Sequence, residues 1–350
     1  MQLGRCRSGI VVLLGIFLGV PAWCQISNKK EVKIGFSIEN TRGERWQTDL
    51  DEFQQRAHDL GAAVVIRSAD GDDDLQFRQV KEMLASGINA LVFLPHDTGK
   101  ARRFIEAAHA KHVPVISYDR LVANAPVDLY VGFDLFSVGR LQAETLVERA
   151  PKGNYLLLGG SPLDVNSKVV RAGQMKVLRP LIEHGDIKVV QDIWVPEWSP
   201  TEAYMLVSQA LQHLDGPLTA IVASNDGIAG GAIQALDDQH LSGKVLVSGQ
   251  DSDLAAIERL FEGTQLMTVY KPVGHEARTA AEAAVRLAKH QDVENSTVVV
   301  NGPQTTKSIL LTPIAVTAEN AKDTVFKDGF QNVETVKKGL SKDKWAALEK

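Results

Sequence analysis

From Val32 onward, short runs of β-branched and other apolar residues alternate with longer stretches whose apolar positions recur three or four apart. The short runs predict strands at 32–38, 63–68, 90–94, 113–118, 129–133, 155–158, 187–195, 218–223, 244–248, 265–270 and 297–300. Between them, spacings such as Trp46, Leu50, Phe53, Ala57, Leu60 and Phe77, Val80, Met83, Leu84 predict amphipathic helices. Gly61, Gly87, Gly185 and Gly243 follow helical stretches where a left-handed stop is expected. Strand–helix alternation implies βαβ units and parallel sheets covered on both faces. Eleven strands overfill one small sheet. The predicted fold class is therefore α/β, with two doubly wound, Rossmann-like domains.

Three segments read as crossings between those domains: 121–128, which carries Asn124 and Pro126; 270–272, where Pro272 interrupts the ladder; and 309–313. They divide the chain into a first lobe of 31–128 plus 271–305 and a second of 129–270 plus 306–330. Residues 331–350 remain outside the lobes as a charged tail, and the charged stretch 318–350 as a whole reads as a solvated surface helix or a frayed end.

The N-terminus changes the picture of location. Arg5 and Arg7 precede the apolar run 10–20, and Pro21-Ala22-Trp23-Cys24 follows it. Eleven apolar residues cannot span a bilayer, but this order describes an export signal over 1–24, cleaved after Cys24 into the periplasm. Lipidation of Cys24 ranks second, because Trp23 is bulky where such sites want a small residue. Cleavage removes both cysteines, Cys6 and Cys24, so the mature chain forms no disulfide. It also makes the net charge of −5 more negative. With no basic excess, a nucleic-acid role is disfavoured. At 350 residues, 44% hydrophobic and 23% charged, the composition is that of an ordinary globular chain of two domains.

In open parallel sheets, ligands bind beyond the carboxyl ends of the strands. Seven predicted strands deliver large polar or aromatic groups there: Arg45 and Trp46; Asp119 and Arg120; Asn166 and Arg171 beyond Gly159-Gly160-Ser161-Pro162; Trp198; Asn225 and Asp226; Asp251; and Lys271. Helix caps account for Asn and Asp, but not for three arginines, a lysine and two tryptophans. Together they describe a polar pocket with two aromatic walls. Carboxylates accept from hydroxyls, cations and amides donate to them, and indole faces pack on the C–H faces of a sugar ring. The inventory suits a neutral monosaccharide.

The motifs Glu44-Arg45-Trp46, Tyr118-Asp119-Arg120, Gly159-Gly160-Ser161-Pro162, Ala223-Ser224-Asn225-Asp226, Ser248-Gly249-Gln250-Asp251 and Met267-Thr268-Val269-Tyr270-Lys271-Pro272 resemble the type I (ribose- and galactose-binding-like) periplasmic sugar-binding proteins of ABC importers. The likeness is greatest to the D-xylose-binding members and runs from about 30 to 329. The resemblance implies two lobes joined by a three-segment hinge that closes over a pentose, D-xylose. It further implies a sandwich of Trp46 and Trp198, with hydrogen bonds from Arg45, Asp119, Arg120, Asn166, Arg171, Asn225, Asp251 and Lys271. The expected partners are permease subunits of an ABC transporter, and the expected state is a monomer with no cofactor and no metal. A periplasmic sensor that presents bound sugar to a kinase or chemoreceptor is the alternative.

An enzyme is not expected. Asp119, Asp226 and Asp251 could pose as a glycosidase pair, but cations beside them should hold them ionised and leave no proton donor. No nucleophile elbow, zinc-protease helix or phosphate loop occurs. His109 and His112 read as solvated, and the acidic run 70–74 as a helix start. A sugar-responsive repressor would need a DNA-binding helix pair where this chain has its apolar leader.

Overall fold

The computed structural model describes Met1 and residues 31–344, apart from positions 43 and 295. Apart from Met1, the expected export signal over 1–24 lies outside the described residues, as do the last six residues of the expected tail. Among the described residues, no helix is long and apolar enough to cross a membrane.

The chain alternates strand and helix through β1 (Val32–Ile38), α1 (Glu44–Asp59), β2 (Ala62–Ser68), α2 (Asp73–Ala85), β3 (Ala90–Phe93), α3 (Arg102–His109), β4 (Val115–Tyr118) and β5 (Leu129–Phe133). The second stretch is α4 (Leu135–Arg149), β6 (Gly153–Gly159), α5 (Val165–His184), β7 (Ile187–Trp194), α6 (Pro200–Leu211), β8 (Ala220–Ala223), α7 (Asp226–Asp238), β9 (Leu246–Val247), α8 (Leu254–Glu262) and β10 (Thr268–Tyr270). It ends with α9 (Val273–Ala288), β11 (Thr297–Asn301), β12 (Gln304–Leu311), β13 (Ile314–Val316) and α10 (Val333–Gly339).

Two mainly parallel sheets result. The first has the order β11-β12-β5-β4-β3-β1-β2, parallel except for the β11–β12 pair. The second is β7-β6-β8-β9, all parallel. Bonds from Leu266 N to Val247 O and Val269 N to Gly249 O carry it on to β10, which pairs antiparallel with β13. Helices cover both faces of each sheet, as the buried strands require. In the first lobe the α1 stripe of Trp46, Leu50, Phe53 and Ala57 packs with α9 on one face, and Val80, Met83, Phe104 and Ile105 fill the other. In the second lobe α6 and α7 supply Ala203, Val207, Ile228 and Ala232, while α4 and α5 supply Ala143, Leu146 and Leu178.

Strand order reverses at β1/β3 in the first sheet and at β6/β8 in the second. Such points open a crevice at the carboxyl edge, because the flanking connections leave in opposite directions.

The crossing at 270–272 lies where expected, and the other two differ. Segment 121–128 stays in the first lobe, where Val122, Ala125 and Val127 are buried and Asn301 Nδ2 donates to the Val122 and Ala125 carbonyls. Strand β5 therefore belongs to the first sheet, and the chain crosses at Asp134 instead. β12 also pairs with β5, so 304–311 lies in the first sheet and only Thr312-Pro313 crosses back. Between these, Lys271-Pro272 takes the chain from β10 to α9. The chain beyond β13 is no free tail either. Ala321, Val325, Val336 and Leu340 are buried against Ile257, Leu260 and Phe261 of α8.

Candidate functional site

A cavity of about 610 Å³ lies between the lobes at the carboxyl edges of both sheets. Nine of the ten expected residues line it: Arg45, Trp46, Asp119, Arg120 and Lys271 with Asn166, Trp198, Asn225 and Asp251.

Each is aimed by local structure. Arg45 and Trp46 sit in the first turn of α1, just past the end of β1. Trp46 is both core and wall: it is 8% exposed and caps the apolar stripe while facing the cavity. The Arg45 guanidinium lies 4.3 Å from its ring centroid. Asp119 follows β4 with φ +58°, and Asp251 follows β9 with φ +99°. These left-handed turns cost a non-glycine residue stability, and the surroundings enforce them. Tyr130 Oη donates to the Asp119 carbonyl at 2.9 Å, and Asp251 N donates to Val269 O at 2.9 Å. Glu197 and Trp198 are left-handed in succession, both at φ +53°. That turn brings the indole onto Gly160, where an added Cβ would stand 2.2 Å from the ring. Asn225 caps α7 by accepting from Ile228 N through Oδ1 at 2.9 Å, so its Nδ2 is the group left to donate into the cavity.

The charges form two ion-pair groups, each bridging the cleft. Arg45 meets Asp119 at 2.9 Å, Glu276 at 3.0 Å, Asp49 at 3.2 Å and Asp251 of the other lobe at 3.8 Å. Lys271 meets Asp251 at 2.8 Å. Arg120 joins Glu39 at 2.9 Å and Asp164 of the second lobe at 3.0 Å. Burial works against the Arg45 charge, but its four carboxylates outweigh burial and hold the guanidinium ionised. Burial likewise pushes Asp119 up, and Arg45, Lys271 and Arg120 more than reverse it, so this carboxylate is held below its usual range. Glu276 and Asp49, fully buried beneath Arg45, are pushed upward by burial despite that arginine.

Two expectations fail here. Arg171 does not reach the cavity wall. It lies in the second turn of α5, is drawn to Asp192 of β7, donates to Gln174 at 2.8 Å and stacks 5.1 Å from the Trp194 ring centroid. Asp226 is not held ionised by cations: burial, only partly offset by Arg259, pushes it up to about 7. It sits behind the wall, accepting from Gln265 at 2.8 Å, Thr268 at 2.8 Å and Asp253 N at 3.1 Å.

Sequence reasoning passed over Glu39, Asn40, Arg42, His96, Asp164, Glu197 and Gln250, all in the lining. The strand-end rule reaches most of them. Glu39 is the first residue past β1, His96 follows β3, and Gln250 precedes Asp251.

Residues 34–292, running from β1 through α9, match the family described as periplasmic binding protein domain. The D-xylose-binding periplasmic protein of Escherichia coli (strain K12) is 48% identical over 304 residues, covering 87% of this chain and 92% of that one. Its namesake in Haemophilus influenzae is 46% identical over 332 residues, covering 95% and 99%. A carbohydrate transporter solute binding protein from Chloroflexus aurantiacus, solved in complex with D-glucose, superposes with a TM-score of 0.81 at 29% identity, covering 86% of this chain and 97% of that one. With its fold, its cleft and relatives of nearly half identity along their length in agreement, this chain belongs to the periplasmic binding protein family.

Proposed function

We propose that this protein captures a monosaccharide, D-xylose, in the interlobe cavity and delivers it to the permease subunits of an ABC importer after export and cleavage behind Cys24. The observation that carries the reading is Arg45, ionised and 5% exposed, joining Asp119 of the first lobe to Asp251 of the second on the cavity wall. A hydroxyl that enters there can donate to a carboxylate of either lobe and accept from a cation fixed between them. A ligand with such contacts to both lobes stabilises the closed form by its differential contacts. Trp46 and Trp198 approach the cavity from opposite lobes and suit the two faces of a sugar ring. The names of the curated relatives support xylose in particular.

The role is binding, with no bond broken. Asp226, which burial pushes up to about 7, does not line the cavity. A pentose of about ten heavy atoms, after the cost of closure, should bind at roughly micromolar to tenths of micromolar. Calorimetric titration with xylose, glucose, ribose and arabinose tests the proposal. Xylose is expected to bind tightest; tighter glucose binding overturns the sugar assigned, and absence of heat with all four overturns the function.

A further inference from the structure

Thr98 lies in the loop between β3 and α3 of the first lobe, 2% exposed, and outside the cavity lining. Its hydroxyl faces the second lobe. Oγ1 donates to the Leu163 carbonyl at 3.2 Å and accepts from Val165 N at 3.2 Å. Val165 is the first residue of α5, whose N-cap Asp164 accepts from Asn166 N. The first N–H groups of a helix have no partner within it. One lobe thus satisfies the open helix end of the other. Opening the cleft breaks both bonds at once and returns three polar groups to water.

We infer that Thr98 is an affinity-determining residue that never touches the ligand: it latches the closed cleft through α5 and so sets how tightly the sugar is held. A ligand that binds the closed form has its apparent affinity scaled by the population of that form. Two hydrogen bonds, each modest in net worth, place the effect at about tenfold. It falls mainly on the off-rate, because release requires opening. The hydroxyl is the active element. Valine keeps the shape and loses both bonds, whereas serine keeps both.

The affinity readout rests on the sugar-binding reading above, so a second readout stands apart from it. Titration of xylose into wild type, Thr98→Val and Thr98→Ser is expected to show about tenfold weaker binding and faster release in Thr98→Val, near-normal binding in Thr98→Ser, and an unchanged melting temperature of the free protein. Spin labels on introduced cysteines at Glu82 and Met205, one exposed helical site per lobe, read the interlobe distance without ligand. Thr98→Val is expected to lower the closed population. If Thr98→Val does not fold, Thr98→Ala replaces it in both measurements. Equal affinity and equal closed population in the valine or alanine variant overturn the latch. If wild type binds no monosaccharide, the sugar reading fails, and the distance measurement alone decides the latch.

Discussion

Trp198 is a side chain placed at a cost, on two successive left-handed residues and against the bare backbone of Gly160. That strain is intelligible if the indole is a wall for a ring. Trp198→Ala is expected to weaken xylose binding by about 2 kcal/mol or more, and calorimetric affinity equal to wild type would remove Trp198 from the site. Gly160→Ala tests the same wall from behind. A methyl group 2.2 Å from the ring must displace the indole, so affinity should drop about tenfold or more while the lobe stays folded by circular dichroism. The chemistry of most site residues was legible because strand-end position and residue type sufficed. Arg171 shows where that fails. The strand-end rule locates a cation but not its counter-charge. Asp192 stands 21 residues further along and comes to Arg171 only through the packing of α5 beside β7.

At the scale of elements, α4 and α5 pack through glycines. A Cβ on Gly139 would stand 1.9 Å from the Val170 carbonyl oxygen, and one on Gly173 2.1 Å from that of Phe136. Gly173→Ala is therefore expected to destabilise the protein by about 1–3 kcal/mol in urea unfolding, and an unchanged midpoint would contradict the close crossing. A second prediction concerns the loop after β3. His96 meets Glu197 of the other lobe at 3.0 Å and Asp73 of its own at 3.3 Å. Burial pulls its pKa down, but Glu197, Glu39 and Asp73 outweigh burial and raise it above 6.5. Closure thus gains most below that ordinary value and loses the gain as pH rises through the raised one. Affinity for xylose should fall as pH rises from below 6.5 through the raised value, and His96→Gln should flatten the profile; an identical slope in the variant would exclude His96. Asp226 titrates in the same range but keeps its partners within the second lobe.

Elements with strong apolar periods were readable, and those defined by partners were not. β12 begins Gln304-Thr305-Thr306-Lys307, a polar stretch that becomes a strand because β5 and β11 flank it. Segment 121–128 looked like a crossing because Asn124 and Pro126 break any period. Its order comes from Asn301, far along the chain.

For the whole molecule, two sheets were foreseeable from the strand count, whereas the lobe borders required knowledge of which strands pair. The assembly of charges was not foreseeable at all. Buried Glu276 and Asp49 stand on helices whose sequence reads as ordinary surface polarity, yet they hold Arg45 from beneath. That support lets one cation serve both lobes. The most direct test is a crystal structure of the protein grown with D-xylose. The account predicts one sugar between Trp46 and Trp198, within hydrogen-bond distance of both Asp119 and Asp251. A sugar bound to one lobe alone, or outside this cleft, would contradict it.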